Sequence, residues 1–110
     1  MGEKDAKHTG DAESAANSLV DTLSEIGEIT SKKMFGGHGI FHDGRMFGII
    51  DPDGQAFLKA DDYLEDRFLE AGSEKHGRMP YYLIPGSVMA DSAELLQWAK
   101  DSIRASKNEG

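Results

Sequence analysis

Two histidines, His38 and His42, are the first residues whose type and spacing could do chemistry, because imidazole nitrogens bind zinc. In an extended strand, four residues span about 13 Å. Side chains that far apart cannot both reach one zinc ion at about 2 Å, unless a bulge at the neighbouring glycines shortens the distance. We therefore interpret both as surface histidines and predict no metal and no other cofactor.

A second candidate is the segment 51–54, whose letters DPDG resemble the start of a calcium loop. Gln55 stands at the fifth position of such a loop, but an EF-hand requires glycine at its sixth position, where this chain has Ala56. Proline in second place and glycine in fourth are typical of a type I turn. The segment is therefore predicted to be a turn.

The glycine-rich stretch at Gly36, Gly37 and Gly39 could begin a dinucleotide-binding fingerprint. The third glycine of that motif would fall at His42, and a strand follows where the motif requires a helix. The glycines are therefore expected to let the backbone turn, or to let another chain approach closely. With no catalytic constellation visible elsewhere, we predict that the protein is not an enzyme.

The composition of the chain limits the classes of partner that it can bind. The 110 residues carry a formal charge of −8, with a pI near 4.8, and contain no cysteine. Such a charge repels phosphate and anionic lipid, and there is no long basic run. No apolar stretch approaches the ~20 residues of a membrane span, and the first residues lack the apolar run of a signal peptide. We expect a cytoplasmic protein that does not bind nucleic acid or membranes directly.

The elements that would position these residues follow from periodicity. Residues 1–13 are predicted to be a disordered leader, 14–107 a single domain and 108–110 a tail. Apolar residues at helical spacing predict a helix beginning at Ser14, a second helix capped by Asp61 and Asp62, and a third beginning near Asp91. Ser73–Met79 is predicted to be a loop, followed by a strand at Pro80–Ile84.

Between the first two helices, the pattern predicts an antiparallel meander. Asp43-Gly44 is typical of a type I′ hairpin, which sets Phe41 opposite Met46 and Ile40 opposite Phe47. The predicted fold class is therefore α+β: an antiparallel sheet of about four to five strands packed by three main helices, in one compact domain.

This register makes both faces of the meander apolar. One face is predicted to carry Ile40, Phe47, Ile49 and Phe57, and the other Phe41, Met46, Ile50, Ala56 and Leu58. The second helix is too small to cover the latter face, so a second copy of the chain is expected to cover it as a two-fold homodimer. The alternatives are a register shift at the glycines, or a Ser73–Met79 loop folded over the patch.

The order of motifs along the chain resembles the TfoX N-terminal domain family over about residues 19–105. The resemblance is carried by Met34, Phe35, Gly36, Gly37, Gly39, Asp43, Gly44, Met46, Phe47, Leu58, Lys59, Phe68, Ala71, Gly72, Met79, Tyr81, Tyr82, Pro85, Leu96, Trp98 and Ala99. It implies a compact α+β domain and supplies no catalytic residues. The family takes its name from regulators of bacterial DNA-uptake competence, which carry a further helical C-terminal domain; here the N-terminal domain is expected to stand alone.

The resemblance implies a non-enzymatic regulatory or protein-interaction module whose partner is another protein or a second copy of the chain. The alternative is a small-ligand-binding domain with its pocket near residues 36–39. The candidate interaction or pocket residues are Gly36, Gly37, His38, Gly39, Phe41, Met46, Lys59 and Tyr81.

Overall fold

The fold comes from a computed structural model, which describes the backbone of residues 3–34 and 36–108 and the side chains of residues 12–34 and 36–107. Within these residues, the chain forms five strands and four helices. In chain order they are α1 (Glu3–Leu23), β1 (Ile29–Met34), β2 (Gly37–His42), β3 (Arg45–Ile50), β4 (Ala56–Lys59), α2 (Asp62–Glu70), β5 (Tyr81–Leu83), α3 (Gly86–Met89) and α4 (Ser92–Asn108). The predicted α+β class is confirmed.

Helix α1 begins at Glu3, whereas the sequence predicted a disordered leader over 1–13 and a helix start at Ser14. The difference follows from cooperativity: Ala12 is already buried in the core, and extending an anchored helix costs far less than starting one. At the other end, α4 continues to Asn108. Residues 1, 2, 35, 109 and 110 lie outside the described part of the chain.

The strands form one antiparallel sheet in the order β1-β2-β3-β4-β5, a meander in which each strand pairs with its neighbour along the chain. The hairpin between β2 and β3 has positive φ at both central residues, 53° at Asp43 and 77° at Gly44, as a type I′ turn requires. The predicted pairing of Phe41 with Met46 is confirmed.

The pairing of Ile40 with Phe47 was wrong, because Ile40 lies opposite Gly48. Phe47 is an extra residue in β3, so a β-bulge lies here rather than at the glycines of 36–39. Gly48 allows the close approach: a Cβ at this position would lie 3.3 Å from the Cβ of Ile40. Beyond the bulge, each side chain of β3 lies on the opposite face of the sheet from the one that the regular register predicts.

The predicted division of the faces is therefore corrected. Buried residues from each helix join one large cluster with Ile40, Phe47, Ile50, Ala56 and Leu58. A smaller cluster on the opposite side consists of Ile49, Phe57 and Tyr81, with Met46 and Leu83 packed against it. Ile50, Ala56 and Leu58, which were expected beside Met46, lie under the helices instead. We call the side of the sheet that carries the smaller cluster the outer face.

Local signals fix the later helices. The side chain of Asp61 accepts a hydrogen bond from the backbone N–H of Leu64 at 2.9 Å, and so caps α2. Asp91 accepts bonds from the N–H groups of Ala93 and Glu94 at the start of α4. The sequence did not predict α3, a single turn that begins after Pro85, where the fixed φ of proline suits a helix start.

Candidate functional site

The loop between α2 and β5 covers part of the outer face of the sheet. His76 lies edge-on to Phe57, with their ring centroids 4.7 Å apart, and its backbone N–H donates to the carbonyl of Tyr81 at 2.8 Å. The N–H of Leu83 donates to the carbonyl of Glu74 at 2.9 Å. These two bonds attach the loop to the outer edge of β5, so the position of the imidazole over the sheet is fixed by backbone pairing.

Two methionine sulfurs meet above Gly39, in the middle of β2. A Cβ at Gly39 would lie 2.8 Å from the Sδ of Met46 and 3.1 Å from the Sδ of Met34, with the ring of Phe41 at 3.0 Å. The missing side chain of Gly39 thus leaves the space that the two sulfurs fill. Met34 and Met46 come from the ends of β1 and β3, and the strand order of the sheet brings them together over β2.

These methionines line a cavity of about 140 Å³, which we call the methionine cavity. Its other walls are mostly apolar. The lining residues are Met34, Gly37, His38, Met46, Ile49, Ile50, Asp51, Pro52, His76 and Met79. The Nδ1 atom of His76 is buried without a hydrogen-bond partner, and the same is true of His38. A buried polar atom without a partner is costly and calls for an explanation.

The polar side chains at the rim differ in what they can offer. His38 pairs with Ile50, so the strand register directs its side chain toward the helices. The carboxylate of Asp51 accepts bonds from the backbone N–H groups of Asp53 and Gln55, at 3.0 and 2.9 Å, within the predicted turn. His76 is therefore the rim residue whose nitrogen is best placed to meet a ligand.

The structure brings most of the predicted site residues to this region. Gly37, His38 and Met46 line the cavity, and Gly39 and Phe41 lie directly beside the two sulfurs. The hydroxyl of Tyr81 donates a hydrogen bond to the backbone carbonyl of Met46 at 3.2 Å. The Nζ of Lys59 lies 5.9 Å from the centroid of the Tyr81 ring. Gly36 lies in the turn between β1 and β2 and does not line the cavity.

Of the ten lining residues, sequence reasoning had singled out Gly37, His38 and Met46 and missed the other seven. The missed residues are Met34, Ile49, Ile50, Asp51, Pro52, His76 and Met79. The sequence did contain a signal for the methionine pair. Met34 precedes the glycine-rich stretch and Met46 follows the Asp43-Gly44 hairpin, and paired strands place such residues on a shared surface.

The remaining clusters of charged groups hold the fold together. Asp101 is buried and accepts hydrogen bonds from Arg67 at 2.8 Å and Arg104 at 2.6 Å. The hydroxyl of Tyr82 donates to the carboxylate of Glu65; this hydrogen bond, reinforced by burial and by the carboxylate's charge, raises the pKa of Tyr82 to about 12. Among the residues that the structure describes, no three His, Asp or Glu side chains group closely enough to hold a metal ion.

Comparison with sequence models of protein families gives a match over most of the chain. The sequence model of the family described as the TfoX N-terminal domain matches residues 21–106 of the 110-residue chain. No match was found among curated proteins. In the described part of the chain, no helix has the length and apolar character needed to cross a membrane.

Proposed function

We propose that this chain, which belongs to the TfoX N-terminal domain family, is a non-enzymatic regulatory or protein-interaction module that binds its partner through the outer face. The family is of a regulatory type and is not a known enzyme family. A cytoplasmic location and the absence of direct contacts with nucleic acid or membranes are parts of the same proposal.

The observation that carries this proposal is the unequal covering of the two faces. Helices cover one face, whereas the other has only the loop over part of its surface. Phe41 and Met46 remain half-buried there, and Met79 is 40% exposed. Methionine is common at protein-binding surfaces, because its flexible and polarisable side chain adapts to different shapes.

The polar clusters support a non-enzymatic role. Asp101 is neutralised by two arginines, and the carboxylate of Glu65 is engaged by Tyr82. Both clusters lie among the helices, away from the methionine cavity. Each has a structural explanation, so neither is needed as a catalytic acid or base.

A matched pair of baits tests the docking surface. Met46→Lys places a charge on the outer face, and Tyr63→Lys places the same charge on α2, where the side chain is 76% exposed. A partner captured from the native cell by the wild-type chain should be lost with Met46→Lys and kept with Tyr63→Lys. The purified partner should then show the same order of affinities in solution. Equal binding by both variants would contradict docking through the outer face.

A second copy of the chain is the other candidate partner, as the sequence analysis expected. Light scattering at low micromolar concentration separates the two cases, since a monomer has a mass of 12.0 kDa and a homodimer twice that mass. If the chain is dimeric, Met46→Lys should restore the monomer mass. A monomer at all concentrations would exclude self-association and leave a different protein as partner.

The methionine cavity favours a second candidate function, the binding of a small ligand. At about 140 Å³ the cavity is smaller than the roughly 300–1,000 Å³ of pockets for drug-sized ligands, so nucleotides do not fit. A thermal-shift screen of small metabolites tests this candidate. A saturable hit should be weakened by Met46→Ala and unaffected by Met89→Ala, which alters a methionine on α3 outside this cavity.

A further inference from the structure

We propose that the methionine cavity binds one soft monovalent metal ion, Cu(I), through the sulfurs of Met34 and Met46 and the imidazole of His76, with Met79 at the mouth. The inference rests on the second candidate function, since it gives the chemical class of a ligand for that cavity. It is independent of docking to a partner protein, which is measured separately.

The position of the sulfurs is the first support. Both Sδ atoms lie close to the same point above Gly39, at 2.8 and 3.1 Å from it, so they are at most about 6 Å apart. Metal–sulfur bonds of about 2.3 Å each would span most of that separation. Methionine has three rotatable bonds, so a small side-chain rotation brings both sulfurs into bonding distance of one ion.

The imidazole of His76 is the second, independent support. Its Nδ1 atom is buried and has no hydrogen-bond partner, although the residue lines the same cavity. The ring is already held by its contact with Phe57, and the backbone by its bond to Tyr81. A ligand nitrogen that is fixed before binding loses little conformational entropy when the ion arrives.

The ligand atoms that the methionine cavity offers determine which metal ion can bind there. Calcium and magnesium require several oxygen ligands, but the carboxylate of Asp51 is engaged by its own turn. Thioether sulfur selects Cu(I) among the biological metals, and imidazole accompanies it readily. Walls such as Ile49 also favour a single charge, because the cost of transferring an ion into an apolar site rises steeply with its charge. The small volume of the cavity suits one ion better than an organic ligand.

Competition with a chromogenic Cu(I) chelator, bicinchoninate, tests the proposal under anaerobic conditions with the full chain. The wild-type protein should withdraw one equivalent of Cu(I) from the chelator. Met46→Leu should weaken binding by roughly tenfold or more, whereas Met89→Leu should leave it unchanged. His76→Phe should also weaken binding, while its ring preserves the edge-on contact with Phe57. Exchange of methionine for leucine conserves volume, so these variants are expected to fold, which circular dichroism verifies.

A second measurement identifies the ligands directly. With Ag(I) as a redox-inert substitute and methionine methyl groups labelled with ¹³C, the resonances of Met34 and Met46 should shift on binding, and that of Met89 should not. Failure to compete with the chelator, or equal affinities of Met46→Leu and Met89→Leu, would overturn the proposal. Neither result would affect partner capture, which is compared between Met46→Lys and Tyr63→Lys.

Discussion

The hydroxyl of Ser102, on α4, lies 3.1 Å from the carbonyl oxygen of Phe47, the residue that the bulge inserts into β3. Phe47 has no paired residue in β2, and α4 places a hydroxyl within hydrogen-bonding distance of its carbonyl. The same hydroxyl lies 2.7 Å from the carbonyl of Lys59, at the end of β4. A single buried side chain therefore joins the last helix to two strands at the irregular point of the sheet.

Replacing Ser102 with alanine should destabilise the protein by about 1–3 kcal/mol, because the single hydroxyl proton that the carbonyls of Phe47 and Lys59 share is lost. Urea denaturation measures the change in the free energy of unfolding. Ser14→Ala is the matched control, since Ser14 is exposed on α1 and alanine is the better helix former. If both variants had the same stability as the wild type, the hydrogen bonds of Ser102 would contribute nothing.

Phe47→Ala should cost about 3–5 kcal/mol, because the ring is completely buried and its removal leaves a cavity. Trp98→Ala should cost less, since Trp98 is only partly buried, although its ring lies 5.0 Å from that of Phe68. Denaturation midpoints compare the two with Leu69→Ala, a control at a side chain that is 54% exposed. A neutral Phe47→Ala variant would contradict the placement of the bulge residue in the core.

Two glycines of β2 should respond differently to alanine. At Gly37 the new Cβ would lie 2.0 Å from the carbonyl oxygen of Ile50, which belongs to the sheet and cannot move without breaking it. At Gly39 it would meet flexible methionine side chains. We expect a loss of about 3 kcal/mol for Gly37→Ala and about 1 kcal/mol for Gly39→Ala, measured by chemical denaturation. The reverse order would show that the methionines above Gly39 are rigid.

The hydrogen bond between Tyr82 and Glu65 should be visible in a spectrophotometric titration of the tyrosines. Hydrogen bonding to Glu65, with burial, raises the pKa of Tyr82 from 10.0 to about 12. The folded state therefore favours the neutral phenol, so this stabilisation is complete below pH 10 and is lost as the pH rises to about 12. Glu65→Gln should lower that pKa, and Glu74→Gln, an exposed change, should not. An unchanged titration in Glu65→Gln would contradict the assigned cause.

The charge of −8 predicts weak binding to duplex DNA. At ~150 mM salt we expect no complex tighter than about 1 µM, measured by fluorescence anisotropy with labelled duplexes. Arg67 and Arg104 are both paired with Asp101, which offsets part of their positive charge. Tight binding that is insensitive to sequence would reveal a basic surface that the net charge hides.

How far the sequence predicts this fold depends on the range of the interaction involved. The hairpin at Asp43-Gly44 was predicted correctly because its two residues determine their own backbone conformation. The bulge at Phe47 and Gly48 was not, since it depends on Ile40 in the neighbouring strand and on Ser102, over fifty residues away. Adjacent residues determine the conformation of a tight turn, whereas contacts between residues distant in sequence produce the irregularities of a sheet.

The same distinction explains the candidate site. The glycine-rich stretch and Met46 could be singled out, because glycines inside a strand indicate close approach. His76 could not be assigned to the same site, since its position depends on how the loop pairs with β5 through Tyr81. The cavity is formed by residues from three strands, the turn after β3 and the loop before β5, and only their arrangement in space makes them neighbours.

The strand order of the sheet has a consequence for synthesis on the ribosome. Because each strand pairs with its neighbour along the chain, the meander can assemble as it emerges, without long loop closures. The buried side of that meander is completed only by α4, which carries Ile103 and Ala105 into the core. At typical translation rates of about 5–20 residues per second, the nascent sheet waits a few seconds for this helix. During that interval Phe47 and Leu58 face water, so this is the time at which the protein is most open to aggregation and chaperone binding.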